Sequence, residues 1–334
     1  MTALSVLDLV PVREGSGVAE AIAEAGKLAQ VAEGAGYKRF WVAEHHASVG
    51  IAGGPTAIVI AHIGHVTNTI RIGSGGIMLP NHNPFVIAEQ FGALDALFPG
   101  RVDLGLGRAP GSAPIIAQAL RKDLHAAAES FPHDVMELRA LFTGEPRLPI
   151  VATPGLGAKV EMWMLGSSLF GAQLAAQLGL PYAFASHFAP RHLDAALATY
   201  RERFQPSDAL EKPHVMAAMG VMCADSDEDA RYLASSQDQA FVALRMGDPG
   251  KLPPPVRNYR QQLGPQARHT LESLDEARAV GSPETVRSRI EAFIRRTQAD
   301  EIIVAGSTFD PEARQRSLVM TMDALQRQPA LGYD

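Results

Sequence analysis

Short, continuously apolar strand candidates alternate with amphipathic helical stretches along most of this chain, and that rhythm constrains the fold more than any other feature. Through the first third the strands run from Leu4 to Val10, Phe40 to Ala43, Ile70 to Gly75 and Val102 to Leu106. They recur about every 30 to 35 residues, the length of a strand, a crossover helix and a return. Their apolar positions are consecutive rather than alternating, as expected of parallel strands covered on both faces. Between the first two, Val18, Ile22, Ala25, Ala29 and Ala32 fall on one helical stripe, and Gly34 and Gly36 stop it. Pro55 and Pro84 open the next two helices, and Pro99-Gly100 ends the third.

After Leu106 the units become irregular, with helical segments over 114–142 and a Pro/Gly-rich stretch from Gly144 to Gly157. The rhythm then returns with strands at Glu161 to Leu165, Tyr182 to Ala185, Val215 to Cys223 and Glu301 to Ala305. Helices are expected from Ser168 to Leu178, Pro190 to Phe204, Asp227 to Met246 and over 311–326. Residues 247–278 carry Pro249, Pro253, Pro254, Pro255 and Pro265 and read as an inserted lid or surface excursion. Ser282-Pro283-Glu284, a capping residue followed by proline and an acid, restarts helix formation. Eight strand candidates without a composition break predict an α/β fold, a single (β/α)8 TIM barrel over 1–334 with that excursion inserted.

Composition narrows the function. The 334 residues carry a formal charge of -6, with 46% hydrophobic and 20% charged residues, which excludes a disordered chain. No basic stripe interleaved with aromatics points to nucleic acid or a membrane surface, so a small organic substrate is expected. The single Cys223 rules out an internal disulfide. With no secretory pattern at Met1-Thr2-Ala3-Leu4-Ser5 and no long apolar run, a cytoplasmic location is expected.

In a barrel the C-terminal strand ends form one mouth. His45, His46, His82 and His187 fall there or just beyond, and Asp8 and Glu44 join them as candidates. His62 and His65 lie on a helix that packs outside and read as structural. A metal-dependent hydrolase fits poorly: no His-x-His marks the first strand, no helix carries His-Glu-x-x-His, and adjacent His45 and His46 would project to opposite faces. No metal is expected. A Gly-x-Ser-x-Gly nucleophile elbow is also missing.

Ile72-Gly73-Ser74-Gly75-Gly76-Ile77-Met78-Leu79-Pro80 places glycines at the mouth densely enough to suggest backbone lying against a flat ligand. Gly105-Leu106-Gly107-Arg108 ends the fourth strand and adds a permanent cation; with Pro110 in the sixth position it is not a dinucleotide fingerprint. Leu165-Gly166-Ser167-Ser168 closes the fifth strand and opens a helix, where free amides and two hydroxyls can cradle a phosphate or simply cap the helix.

Together, Trp41-Val42-Ala43-Glu44-His45-His46, Gly73 to Pro80, Pro99 to Arg108, Leu165 to Ser168 and Gly281 to Val286 resemble the bacterial luciferase-like flavin monooxygenase family over nearly the whole chain. The resemblance implies a (β/α)8 barrel that binds reduced FMN at the strand ends and activates O2 as a flavin C4a-hydroperoxide. It also implies a separate NAD(P)H-dependent flavin reductase as partner. His45 matches the family's catalytic acid/base, and Gly75-Gly76 its cis-linked pair of small residues under the flavin ring. Arg108 matches an arginine near the flavin, and Ser167 a phosphate-binding serine. Ser74, Gly166 and Ser168 flank these cofactor positions, while Asp8, Glu44, His46, His82 and His187 are left for the substrate. The chain departs from the luciferases at Gly107, where they carry a reactive cysteine, and at Gly166, where they carry an acid. Arg121 is the candidate for a second phosphate arginine. A homodimer is expected from the family, with the alanine-rich segments 56–61 and 88–96 suited to close helix packing. Deazaflavin-dependent hydride transfer and flavin binding without turnover are the alternative readings.

Overall fold

The computed structural model describes residues 2–108, 119, 123–145 and 149–326. Nine parallel strands form one sheet: β1 (Ala3–Asp8), β2 (Arg39–Val42), β3 (Arg71–Met78), β4 (Val102–Gly107), β5 (Glu161–Gly166), β6 (Tyr182–Phe184), β7 (Val215–Cys223), β8 (Arg278–Gly281) and β9 (Glu301–Ala305). The order β6-β5-β4-β3-β2-β1-β9-β7, with β6 also paired to β7, closes eight of them into a (β/α)8 barrel. These eight coincide with the strands marked by the sequence. The ninth, β8, pairs only with the last four residues of β7, Gly220 to Cys223, as a spur outside the ring.

The outer helices are α1 (Val18–Ala35), α2 (Thr56–Val66), α3 (Pro84–Leu97), α4 (Leu124–Thr143), α5 (Leu169–Leu178), α6 (Leu193–Arg203), α7 (Asp227–Arg245), α8 (Tyr259–Gln262), α9 (Pro265–Glu272), α10 (Pro283–Thr297) and α11 (Pro311–Gln326). Of the stripe marked on α1, Ala25, Ala29 and Ala32 are buried and Ile22 partly so, while Val18 at its first residue is exposed; Ala21 and Leu28 complete the buried face. The outer strand faces share this large core with the helices. Among the described residues no helix is long and apolar enough to cross a membrane. Arg121 and the start of the helical segment expected from 114 lie outside the described residues.

Strand parity fixes what faces the lumen. Leu7, Trp41, Trp163, Ala183, Met216, Ala218, Ile303 and Ala305 form an inner apolar cluster, separate from the outer core, with Leu9, Ala43 and Leu165 packed on it. Trp41 and Trp163 meet edge to face at 5.3 Å. Near the starts of β2, β4, β5 and β9 the lumen is ionic. Arg39 is buried, with Nη1 2.8 Å from Asp103 Oδ2, Nη2 3.0 Å from Glu161 Oε1 and Nε 3.0 Å from Glu301 Oε1. Its guanidinium lies 4.7 Å from the centre of Trp163, and Trp41 Nε1 donates to Asp103. Glu301 also accepts from Ser5 Oγ and, at 3.1 Å, from Lys38 Nζ.

The glycines of β3 and β4 keep this barrel tight. The peptide joining Gly75 to Gly76 is cis, and the β3–β4 register shifts between Gly75 and Ile77. A Cβ on Gly76 would stand 2.6 Å from the Gly105 carbonyl oxygen, and one on Gly75 would stand 2.6 Å from Leu7 Cδ1. The segment at 247–278 contains α8, α9 and the first residue of β8. Its start is tied to the mouth loop after β1, with Leu252 N donating to Val12 O and Glu14 N to Leu252 O, and that loop is tied in turn to the one after β2 by Val12 N to Gly50 O.

Two predictions follow from the lumen. Burial raises the Glu301 carboxyl, but His214, Arg39, Ser5 and Lys38 outweigh it and bring it from 4.5 to about 2. A depressed carboxyl stabilises the fold above its unfolded value and loses that contribution as pH falls from 4.5 towards 2. Glu301→Gln should therefore flatten the acid dependence of denaturant unfolding across that window and cost about 3 kcal/mol at neutral pH, because Arg39 loses a buried partner. Gly76→Ala should cost about 1–3 kcal/mol by forcing a methyl against backbone; an unchanged melting temperature would mean that β3 and β4 are less tightly apposed than described.

Candidate active site

At the mouth, the loop after β2 folds against β3. Glu44 N donates to Gly76 O at 3.4 Å, and the buried Glu44 carboxylate accepts from Met78 N at 2.9 Å through Oε2. Its Oε1 meets His46 Nε2 at 2.6 Å and His82 Nε2 at 2.8 Å. His82 arrives from the far side of a short 3-10 turn, Leu79–Asn81, that ends β3. Burial raises the Glu44 carboxyl, but the His82 hydrogen bond and charge, the Met78 amide and His46 prevail and hold it below its ordinary value. An ionised carboxylate only accepts, so both Nε2 atoms carry their protons toward it. These three side chains are also the one group among the described residues whose ligand atoms, within 4.8 Å of one another, could take a metal ion.

His45 stands apart from that cluster. It is half-buried, and its side chain has no hydrogen bond among the described residues. Burial, helped by the charge of His46, lowers its pKa from the ordinary 6.5, so the ring is a neutral imidazole at neutral pH. His187, in the loop after β6, has a buried Nδ1 without a partner among the described residues, and burial pushes it down to about 4.

Arg108 follows β4, and its exposed guanidinium lies 4.1 Å from the centre of the Phe170 ring in the first turn of α5. That contact brings the cation beside the Gly166-Ser167-Ser168 turn. Ser168 is the N-cap of α5 but makes no side-chain cap hydrogen bond, so the first-turn amides keep their capacity for an anion. Phe170 has no motif around it in the sequence and only the fold shows its pairing with Arg108. At Gly107 a Cβ would meet nothing nearer than Ile77 O at 3.7 Å, so a side chain would fit there.

The structure leaves two sequence candidates out of this site, both for reasons of strand parity. Asp8 follows the lumen-facing Leu7 and points outward, accepting from Val10 N at 2.9 Å and from Arg314 Nη2 of α11 at 2.8 Å. Ser74, between Gly73 and Gly75, is fully buried and donates to Gly105 O at 3.0 Å. His62 and His65 pack outside, near α1 and against Phe98.

The site can thus offer a side-chain-free peptide platform above an apolar floor, an unengaged imidazole in the loop after β2, and a cation beside a helix N-terminus. The family model for luciferase-like monooxygenases matches residues 2–301. A luciferase-like monooxygenase of Escherichia coli (strain K12) is 48% identical over 322 residues, covering 96% of each chain. The crystal structure of apo-MsnO8 superposes with a TM-score of 0.86 at 33% identity, covering 98% of this chain and all of that one. The fold is shared with the FMN-bound oxygenating constituent of 3,6-diketocamphane monooxygenase from Pseudomonas putida (TM-score 0.71, 17% identity, 97% and 98% covered). An F420-dependent secondary alcohol dehydrogenase shares it equally (TM-score 0.71, 14% identity, 98% and 99% covered). The chain belongs to the luciferase-like monooxygenase family and is an oxidoreductase.

Proposed function

We propose that this enzyme is the oxygenase component of a two-component flavin monooxygenase, taking reduced FMN from a separate NAD(P)H-dependent flavin reductase and placing one oxygen atom of O2 on a small organic substrate. The observation that carries the reading is the Gly75-Gly76 platform, half-exposed at the mouth where neither residue has room for a side chain. A flat tricyclic ring can rest on such a surface at van der Waals distance. The residues around it fit the rest of the cofactor: Arg108 and the uncapped start of α5, with Ser167 and Ser168, suit a phosphate.

Reduced FMN supplies the electrons for oxygen activation, and the protein supplies shelter and proton handling. The apolar floor built on Trp41, Trp163 and Leu165 keeps water from beneath the platform. His45, neutral and without a hydrogen bond to break, is free to take a proton and return it. His187 offers a neutral hydrogen-bonding atom to an uncharged substrate group. The start of the 247–278 segment, tied to the loop after β1, would cover that edge of the mouth. A dimer formed through α2 and α3 would cover Ile58, Val86 and Leu97, which are 72%, 43% and 61% exposed.

With chemically reduced FMN and an accepted substrate, His45→Ala should bind flavin nearly as wild type while oxygenation falls roughly 100-fold or more, the usual worth of a positioned acid/base. The wild-type pH profile should lose activity below 6.5 as His45 becomes charged. Normal turnover by the variant would remove His45 from the chemistry. Arg108→Ala should raise the FMN dissociation constant about tenfold, the worth of one charge-assisted hydrogen bond. Light scattering should give twice the 35.7 kDa chain mass; the monomer mass would refute the dimer.

A further inference from the structure

We infer that Glu44 is the positioning residue of this site: one carboxylate oxygen holds both the His46 and His82 rings with Nε2–H toward it, the other holds the Met78 amide, and this single anion seats the Gly75-Gly76 platform. The inference rests on the proposed flavin site and goes beyond it, since the buried acid acts through the side chains and backbone it holds. Three donors converge on a side chain with no exposed area, at 2.6, 2.8 and 2.9 Å. The donors come from three places, the loop after β2, the last residue of β3 just beyond its cis-linked bulge, and the residue after the 3-10 turn, so one carboxylate links all three. The Glu44 amide adds a fourth link, to Gly76 O, from the same residue.

Distances of 2.6 and 2.8 Å from one oxygen to two ring nitrogens describe shared protons. A cation held at about 2 Å from each ligand would need these atoms drawn into a shell around it, and the two N–H groups would have to lose the protons they now direct at the carboxylate. The arrangement also divides the labour among neighbouring histidines. His46 and His82 are committed as donors to Glu44, while His45, next in the chain, keeps both ring nitrogens free of protein partners among the described residues.

Glutamine has the same shape but cannot satisfy three donors. If its amide NH2 faces the rings, at least one ring must present an unprotonated Nε2 and move its proton to Nδ1; if the NH2 faces Met78, two N–H groups oppose each other and the bulge shifts. The test is long-range 15N–1H correlation of the imidazole nitrogens, assigned with His46→Gln and His82→Gln, alongside anaerobic titration with reduced FMN. In the wild type at pH 8 both rings should be Nε2–H; either ring found as Nδ1–H overturns the inference without recourse to any variant. In Glu44→Gln either at least one ring should change tautomer or the Met78 amide resonance should shift as its bond is lost, and the reduced-FMN dissociation constant should rise roughly tenfold, the equivalent of one hydrogen bond to a charged group. Wild-type tautomers at both rings together with an unshifted Met78 amide, or an affinity within a factor of two, would overturn it. The ring spectra need no flavin, so a wild type that bound no FMN would defeat the proposed function while the tautomers still decided the role of Glu44.

Discussion

Closing eight parallel strands into a ring leaves a lumen that side chains must fill, and Arg39 fills its lower end with charge. A buried guanidinium is tolerated only when its fork is fully engaged. Here Asp103, Glu161 and Glu301, from three other strands, engage it, and the Trp163 ring covers one face. Each contact spans strands that are distant in sequence, so the set is formed only when the ring is closed. Above it the tryptophans and small apolar residues make a dry plug, and on that plug rests the glycine platform. The mouth is shaped from below.

The mouth is organised around a second buried anion. Glu44 is ionised because three donors meet it, and in meeting it they are withdrawn from other work. Burial without a partner does the opposite for His45 and His187, keeping both neutral and available. One fold edge thus holds fixed donors beside free imidazoles. Position relative to Glu44, rather than residue type, separates the two roles.

Much of this was legible in the sequence because parallel strands buried on both faces read as unbroken apolar runs. All eight barrel strands announced themselves in that way; the stripe on α1 was legible at Ala25, Ala29 and Ala32 though not at the exposed Val18, and the glycines of β3 by their density. The Arg-Ala-Val-Gly strand β8 did not, being four residues long and following a proline-rich segment whose helices α8 and α9 also escaped notice. The ionic lumen was hidden for a related reason: Arg39, Glu161 and Glu301 stand at the starts of apolar runs, where a charge looks like a boundary, and Asp103 is a single acid inside one. Asp8 and Ser74 were drawn to the mouth by proximity in sequence, and parity turned both away. The Glu44–His82 bond joins residues 38 apart, which periodicity cannot see. Arg108 over Phe170 belongs to the same class, since two strand ends must be brought side by side before the pair exists.

Proteins of the same fold are found with FMN and with F420, and the two cofactors would give this barrel different chemistry. Anaerobic titration of the wild-type protein with reduced FMN and, separately, with reduced F420 tests this most directly. Saturable binding of reduced FMN, with F420 bound far more weakly, is the predicted result. Tight binding of reduced F420 with no affinity for reduced FMN would contradict the oxygenase reading and make this barrel a hydride-transfer enzyme.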